Sequence, residues 1–164
     1  MTNLRRLDIT LPLVAVVLDQ VTKLLIRQRL AISESMTVIP GVLDFTHVRN
    51  SGVAYGFLNG VDFPYKSLLI AGVATVALVS IALYAKGIAG EQLLARAGLA
   101  LIIGGAAGNL IDRLTTGSVV DFIDAYWRGW HFWAFNVADS AITIGVALML
   151  LDIVGVRTHV SKTV

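Results

Sequence analysis

Two aspartates stand where a solvated charge is out of place. Asp121 is bracketed by Val119, Val120 and Phe122, and Asp139 is flanked by Asn136 and Ser140 in an otherwise apolar run. An ionisable group inside a membrane costs about 3 kcal/mol or more, so Asp139 calls for a specific reason, while Asp121, a few residues outside a span, is set apart by its apolar neighbours. Two carboxylates on one face can share a proton: the ionised one takes a proton from water while the protonated one polarises a carbonyl. Like-charge repulsion and burial separate their two ionisation steps. Peptide hydrolysis by an aspartate dyad is the chemistry this pair suits. For Asp139 alone, a carboxylate favoured by the dipole at a helix N-terminus is an equal alternative.

Other catalytic designs are poorly supplied. A zinc peptidase wants a His-Glu-x-x-His cluster or its equivalent, whereas His47, His131 and His159 are scattered and the glutamates are Glu34 and Glu91. A serine nucleophile needs a base, and no histidine falls within a span. With no cysteine, disulfides, thiolate metal sites and a cysteine nucleophile are absent. The reading therefore expects no metal and no cofactor.

The surrounding chain is built for lipid. Of 164 residues, 56% are apolar and 15% charged, with a mean hydropathy of +0.77, against roughly 25% charged in ordinary soluble proteins. A net charge of +2, dispersed along the chain, does not fit nucleic acid. Residues 67–85 form an uncharged run of one span's length. Three further spans are expected over about 7–26, interrupted by Asp19 and Lys23, over 92–111, carrying Arg96, and over 132–151, carrying Asp139. The whole chain reads as one integral membrane domain, since four spans leave no room for a large soluble one.

Arg5 and Arg6 precede an apolar run as in a secretory signal, but Asp19 and Lys23 replace the small-residue cleavage site, so the first helix is read as retained. Arginine and lysine counts tie between the two faces. Arg5, Arg6, Lys86, Arg96, Arg157 and Lys162 oppose Arg27, Arg29, Arg49, Lys66, Arg113 and Arg128. The first set lies in shorter segments, which places both termini in the cytoplasm. The extracytoplasmic segments are then about 27–66 and 113–131. In the first, the stretch MTVIPGVLDFTHV, with a turn at Pro40 and Gly41, predicts short strands. In the second, Tyr126, Trp127 and Trp130, followed by Trp133, predict a position at the water and lipid boundary.

Four spans put both outer segments on one face. Asn50, Asn109, Asp112, Arg113, Asp121, Asn136 and Asp139 can therefore meet, with Asp139 about 10 Å below the outer end of a helix starting near Phe132. Asp19 and Lys23, spaced i, i+4, can neutralise each other. Gly104 and Gly108 form a small-residue face for close helix packing. Asn109 and Arg113 point the same way one turn apart, and Asp112 beside Arg113 reads as a boundary salt bridge. Gly52, Gly56 and Gly60 would let the 27–66 segment bend as a lid. Asp124 and Asp152 read as ordinary boundary charges. A proton or ion carrier using Asp19, Lys23 and Asp139, or a scaffold using the glycine face, is the non-enzymatic alternative.

Five segments in register across nearly the whole chain give the sequence a specific likeness. They are Asp19-Gln20 with Lys23, Asn50-Ser51-Gly52-Val53-Ala54, Gly104-Gly105-Ala106 with Gly108-Asn109 and Asp112-Arg113, Val120-Asp121-Phe122, and Phe135-Asn136-Val137-Ala138-Asp139-Ser140. On these the chain resembles the lipoprotein signal peptidases, the type II signal peptidases of the bacterial cytoplasmic (inner) membrane, which are intramembrane aspartic proteases. Tyr55, in place of Phe or Trp, is the main departure. The resemblance implies an all-α membrane protein of four transmembrane helices with a small extracytoplasmic β-rich cradle and a mobile surface helix. It also implies cleavage of a prolipoprotein signal peptide before a diacylglyceryl-modified cysteine, near the extracytoplasmic face. Asp121 and Asp139 would be catalytic. Asn50, Asn109, Arg113 and Asn136 would bind substrate or orient the pair, with Asp19, Gly52, Gly108 and Asp112 in support. Membrane lipid and globomycin-like inhibitors are the remaining expected partners.

Overall fold

The computed structural model describes residues 2–53, 57–88 and 92–155. Tyr55, Gly56, Glu91, Arg157, His159 and Lys162 lie outside the described residues. The element order is α1 (Thr2–Arg29), β1 (Ser35–Ile39), β2 (Leu43–Asn50), α2 (Lys66–Ala85), α3 (Leu93–Thr116), β3 (Val119–Trp127), β4 (Trp130–His131) and α4 (Val137–Ile153).

Three helices are long and apolar enough to cross a membrane, over Leu7–Arg29, Lys66–Ala85 and Leu93–Thr116. Their outward faces carry exposed large apolar side chains, among them Leu13, Leu24, Leu68, Val76 and Leu83. Such faces suit a lipid solvent, because a helix satisfies its own backbone. The third runs to Thr116, beyond the expected end at residue 111, and stops at Gly117, whose φ of 75° closes the helix with a hydrogen bond to the Arg113 carbonyl.

The fourth helix departs most from expectation. It has 17 residues and starts at Val137, not near Phe132. Residues 132–135 run extended, and the Phe135 carbonyl accepts from the amides of both Phe122 and Ile123. Asn136 then caps the helix, so Asp139 lies in its first turn and not some 10 Å in. The aromatic run before Asn136 is apolar enough to pass for span, but its backbone is committed to β3.

The strand-like reading of the 27–66 segment holds in its first half. The four strands form one antiparallel sheet in the order β1-β2-β3-β4. Gly41, with φ of 81°, makes the turn between β1 and β2. Because β2 pairs with β3 from Leu43–Ala125 to Asn50–Val119, a lid made of the whole segment would have to break this ladder. The sheet is seated on the end of α1 by Ile26 and Leu30, which pack with Val120 and Phe122 and are flanked by Phe45, Ile123 and Val137.

Helix α3 is the centre of the bundle, touching α1, α2 and α4. Small residues let the backbones close in. A Cβ on Gly105 would lie 2.3 Å from the Ala138 carbonyl oxygen of α4, and one on Gly108 would lie 2.6 Å from the Asp19 carboxylate of α1. The face expected from Gly104 and Gly108 thus packs α3 on α1, with Gly105 serving α4. Gly105→Val should lower the thermal midpoint in detergent by an amount equivalent to about 2 kcal/mol or more, the cost of overpacking against backbone. Gly72→Ala, at a helix position with open space around it, should leave the midpoint unchanged or raise it. An unchanged midpoint in Gly105→Val would contradict this packing.

Candidate active site

At the junction between helix ends and sheet, one asparagine touches both aspartates. Asn136 is fully buried because it ends the extended run on β3 and begins α4. Its Oδ1 accepts from the Asp139 amide at 2.9 Å, and its own amide donates to Asp139 Oδ2 at 3.2 Å, a reciprocal capping box. Its Nδ2 donates to Asp121 Oδ1 at 2.7 Å. A carboxylate at a helix start, the alternative reading of Asp139, is therefore present, and the same Asn136 bonds Asp121 as well.

Each carboxylate has a second amide partner. Asn50, at the end of β2 beside β3, donates Nδ2 to Asp121 Oδ2 at 3.0 Å and accepts the Gly52 amide at 2.9 Å on Oδ1. Asn109 of α3 donates Nδ2 to Asp139 Oδ1 at 2.8 Å. Arg113, one turn on, reaches the Asn109 carbonyl at 3.2 Å and the Gly52 carbonyl at 3.1 Å. Asn50, Asn109, Arg113, Asp121 and Asp139 all line one cavity of about 550 Å³. Apolar walls from Val53, Val119, Phe132, Trp133, Phe135 and Ile142 complete it.

Burial pushes the Asp121 carboxyl up to about 7, and the charge of Asp139 adds to that effect. Hydrogen bonds from Asn50 and Asn136, with the more distant Lys23, pull the other way without cancelling it. Near neutral pH this side chain is divided between acid and carboxylate. It can hold the proton that a dyad needs.

Behind the cavity lies a second polar cluster. Lys23, with no exposed surface, donates to Asp19 Oδ2 at 2.8 Å and Asn109 Oδ1 at 2.9 Å, and lies 3.0 Å from Asp112 Oδ2. Arg27 meets the other Asp112 oxygen at 2.7 Å. The two carboxylates also take backbone donors: Asp19 Oδ1 accepts from the Ala138 amide in the first turn of α4, and Asp112 Oδ2 from the Val120 amide of β3. Gln20 adds bonds to Asp19 and to the Gly108 carbonyl. Two acids face two bases, so the cluster is neutral.

The expected Asp19–Lys23 pair is thus one edge of a larger network. The expected Asp112–Arg113 salt bridge is not formed, because adjacent helix residues face different ways; Asp112 turns to α1 and Arg113 to the cavity. Asp124 pairs with His131 at 2.9 Å, outside the cavity lining. Trp127, Trp130 and Trp133 are each more than 60% exposed. The i, i+4 spacing predicts the Lys23 contact with Asp19 but not the one with Asn109. A lysine in a span is the signal that marks it.

Residues 11–155 match the family described as signal peptidase (SPase) II. The chain is 44% identical over 149 residues to the lipoprotein signal peptidase of Geobacter metallireducens, covering 91% of each chain. It is 47% identical over 140 residues to that of Geobacter sulfurreducens, covering 85% of this chain and 86% of the other. A solved bacterial membrane enzyme, determined by the in meso method at 2.3 Å, superposes with a TM-score of 0.81 at 34% identity, covering 96% of this chain and 93% of that one. With its described helices, sheet and buried polar site, the chain belongs to the signal peptidase II family of lipoprotein signal peptidases.

Proposed function

We propose that this chain is an aspartic endopeptidase that removes the signal peptide from diacylglyceryl-modified prolipoproteins, cleaving before the lipidated cysteine with Asp121 and Asp139 as the catalytic pair. The observation that carries the proposal is Asn136, which bonds one aspartate through its side chain and the other through its backbone. The reaction follows from two carboxyls sharing one proton. The ionised carboxylate takes a proton from water as the oxygen attacks the scissile carbonyl, and the protonated partner gives its proton to the carbonyl oxygen. A neutral gem-diol results. Collapse then returns the first proton to the leaving nitrogen while the second carboxylate recovers one from a gem-diol hydroxyl. The pair ends as it began, and neither metal nor cofactor enters.

Arg113 offsets the single negative charge of this pair and holds the Gly52 carbonyl. Asn50 and Asn109 fix the outer faces of the two carboxylates, so little reorganisation is needed during the reaction. We place four helices across the bilayer of the bacterial inner membrane, with α4 as the fourth, both termini in the cytoplasm and the sheet outside. A lipid-bearing cysteine would keep its acyl chains in the bilayer and its peptide at the level of the cavity, against Val53, Phe132 and Ile142. Globomycin-like cyclic peptides would compete for the same cavity.

Asp121→Asn and Asp139→Asn should each reduce conversion of a lipid-modified precursor in detergent or liposomes by at least about 100-fold, the scale of lost acid and base catalysis, while Asp124→Asn retains it. Normal processing by Asp121→Asn would remove the dyad. The pH profile gives a second check. A carboxyl raised to about 7 keeps its proton below that pH and loses it above, so kcat should fall on the alkaline side with a limb near 7. Asn50→Ala removes a bond that favours the ionised form of Asp121, so its limb should move to higher pH. A limb unmoved or shifted downward would contradict this assignment.

A further inference from the structure

Lys66 sits in a place that ordinary electrostatics disfavours. It is the first residue of α2, where the helix dipole repels a positive charge. It is 7% exposed, and among the described residues it forms no ion pair. Burying an ammonium without a counter-ion is costly unless its protons are fully taken up.

They are taken up by the chain between β2 and α2. Lys66 Nζ donates to the carbonyls of Leu58 at 2.6 Å and Val61 at 2.7 Å and to Ser51 Oγ at 3.0 Å, with the Asn59 carbonyl at 3.4 Å. Four oxygens from separate points of one loop converge on one cation. Ser51 is tied again to Asn59, its amide at 2.8 Å and its hydroxyl at 3.0 Å from Asn59 Oδ1. It lies between Asn50, which bonds Asp121, and Gly52, whose carbonyl takes Arg113. Gly52 is itself pressed against this loop, since a Cβ there would lie 2.1 Å from the Phe57 carbonyl oxygen. The loop's carbonyls would repel one another without a cation among them.

We propose that Lys66 is a positioning residue: its ammonium acts as a built-in cation that organises residues 51–53 and 57–61 and thereby holds Asn50 and Val53 on the cavity wall for substrate binding. The inference rests on the proposed function for its kinetic consequence but not for its structural one. The full chain in detergent is compared as wild type, Lys66→Met, Lys66→Arg and Ser51→Ala, by hydrogen exchange and by cleavage of a synthetic lipid-modified precursor peptide. In Lys66→Met, amide exchange at Ser51 and Val53 should rise about tenfold, the scale of one charged hydrogen bond lost, with β2 and the helices unchanged. The ratio kcat/KM should fall by a similar factor, mostly through KM. Lys66→Arg, keeping charge and donors, should fall between wild type and Lys66→Met, and Ser51→Ala should shift both readouts the same way by less. Should Lys66→Met not fold, Ser51→Ala and Lys66→Arg decide. Unchanged loop exchange in Lys66→Met and Ser51→Ala, or exchange raised equally throughout the protein, would overturn the proposal. A wild-type chain that leaves the precursor intact would instead defeat the proposed function, and the exchange data would still judge the clamp.

Discussion

The structure depends on keeping one ammonium dry. Lys23 has three protons and three oxygens to receive them, on Asp19, Asp112 and Asn109. Removing one member of such a buried set leaves an uncompensated charge, at a cost of about 3–5 kcal/mol. That penalty locks α1 to α3. Its two acids pass the order outward, Asp19 to the first turn of α4 and Asp112 to the start of β3. Those are the elements that carry Asp139 and Asp121. Because Asn109 gives its oxygen to Lys23, its nitrogen is left to face Asp139.

Two layers therefore divide the work. The inner layer is a neutral cluster that holds backbone, and the outer layer is an acidic pair open to a cavity with Arg113 on its wall. Asn109 belongs to both. A carrier would need a polar path along the helices, and the donors of Lys23 are instead used up in holding secondary structure together. The close approach at Gly105 and Gly108 is what permits it, since any side chain there would separate the elements that the cluster joins.

Much of this was legible in the chain. Asp121 and Asp139 stood out by charge in apolar surroundings, and both line the one cavity; of the four expected spans, three are helices long and apolar enough to cross a membrane, and α4 is shorter. The strands followed from β-branched and aromatic residues around the turn at Gly41. What failed was local detail decided by tertiary partners. Phe132 to Phe135 resemble span by composition, yet β3 claims their backbone, so Asp139 stands in the first turn of α4 behind the Asn136 cap instead of lying two turns inside a helix. Asp112 and Arg113, neighbours in sequence, separate because only tertiary structure brings Lys23 and Arg27 to the former. In the sequence Lys66 is one of six basic residues on the outer face, and no sequence rule shows that four loop oxygens surround it.

The most direct measurement of the central claim is an infrared titration of carboxyl protonation in the lipid-reconstituted protein, wild type against Asp121→Asn. The account predicts a protonated carboxyl at about pH 6 in the wild type that disappears with a midpoint of about 7 and is missing from the variant. A wild-type spectrum with every carboxyl already ionised at about pH 6 would contradict it, since no shared proton would then be available for the reaction.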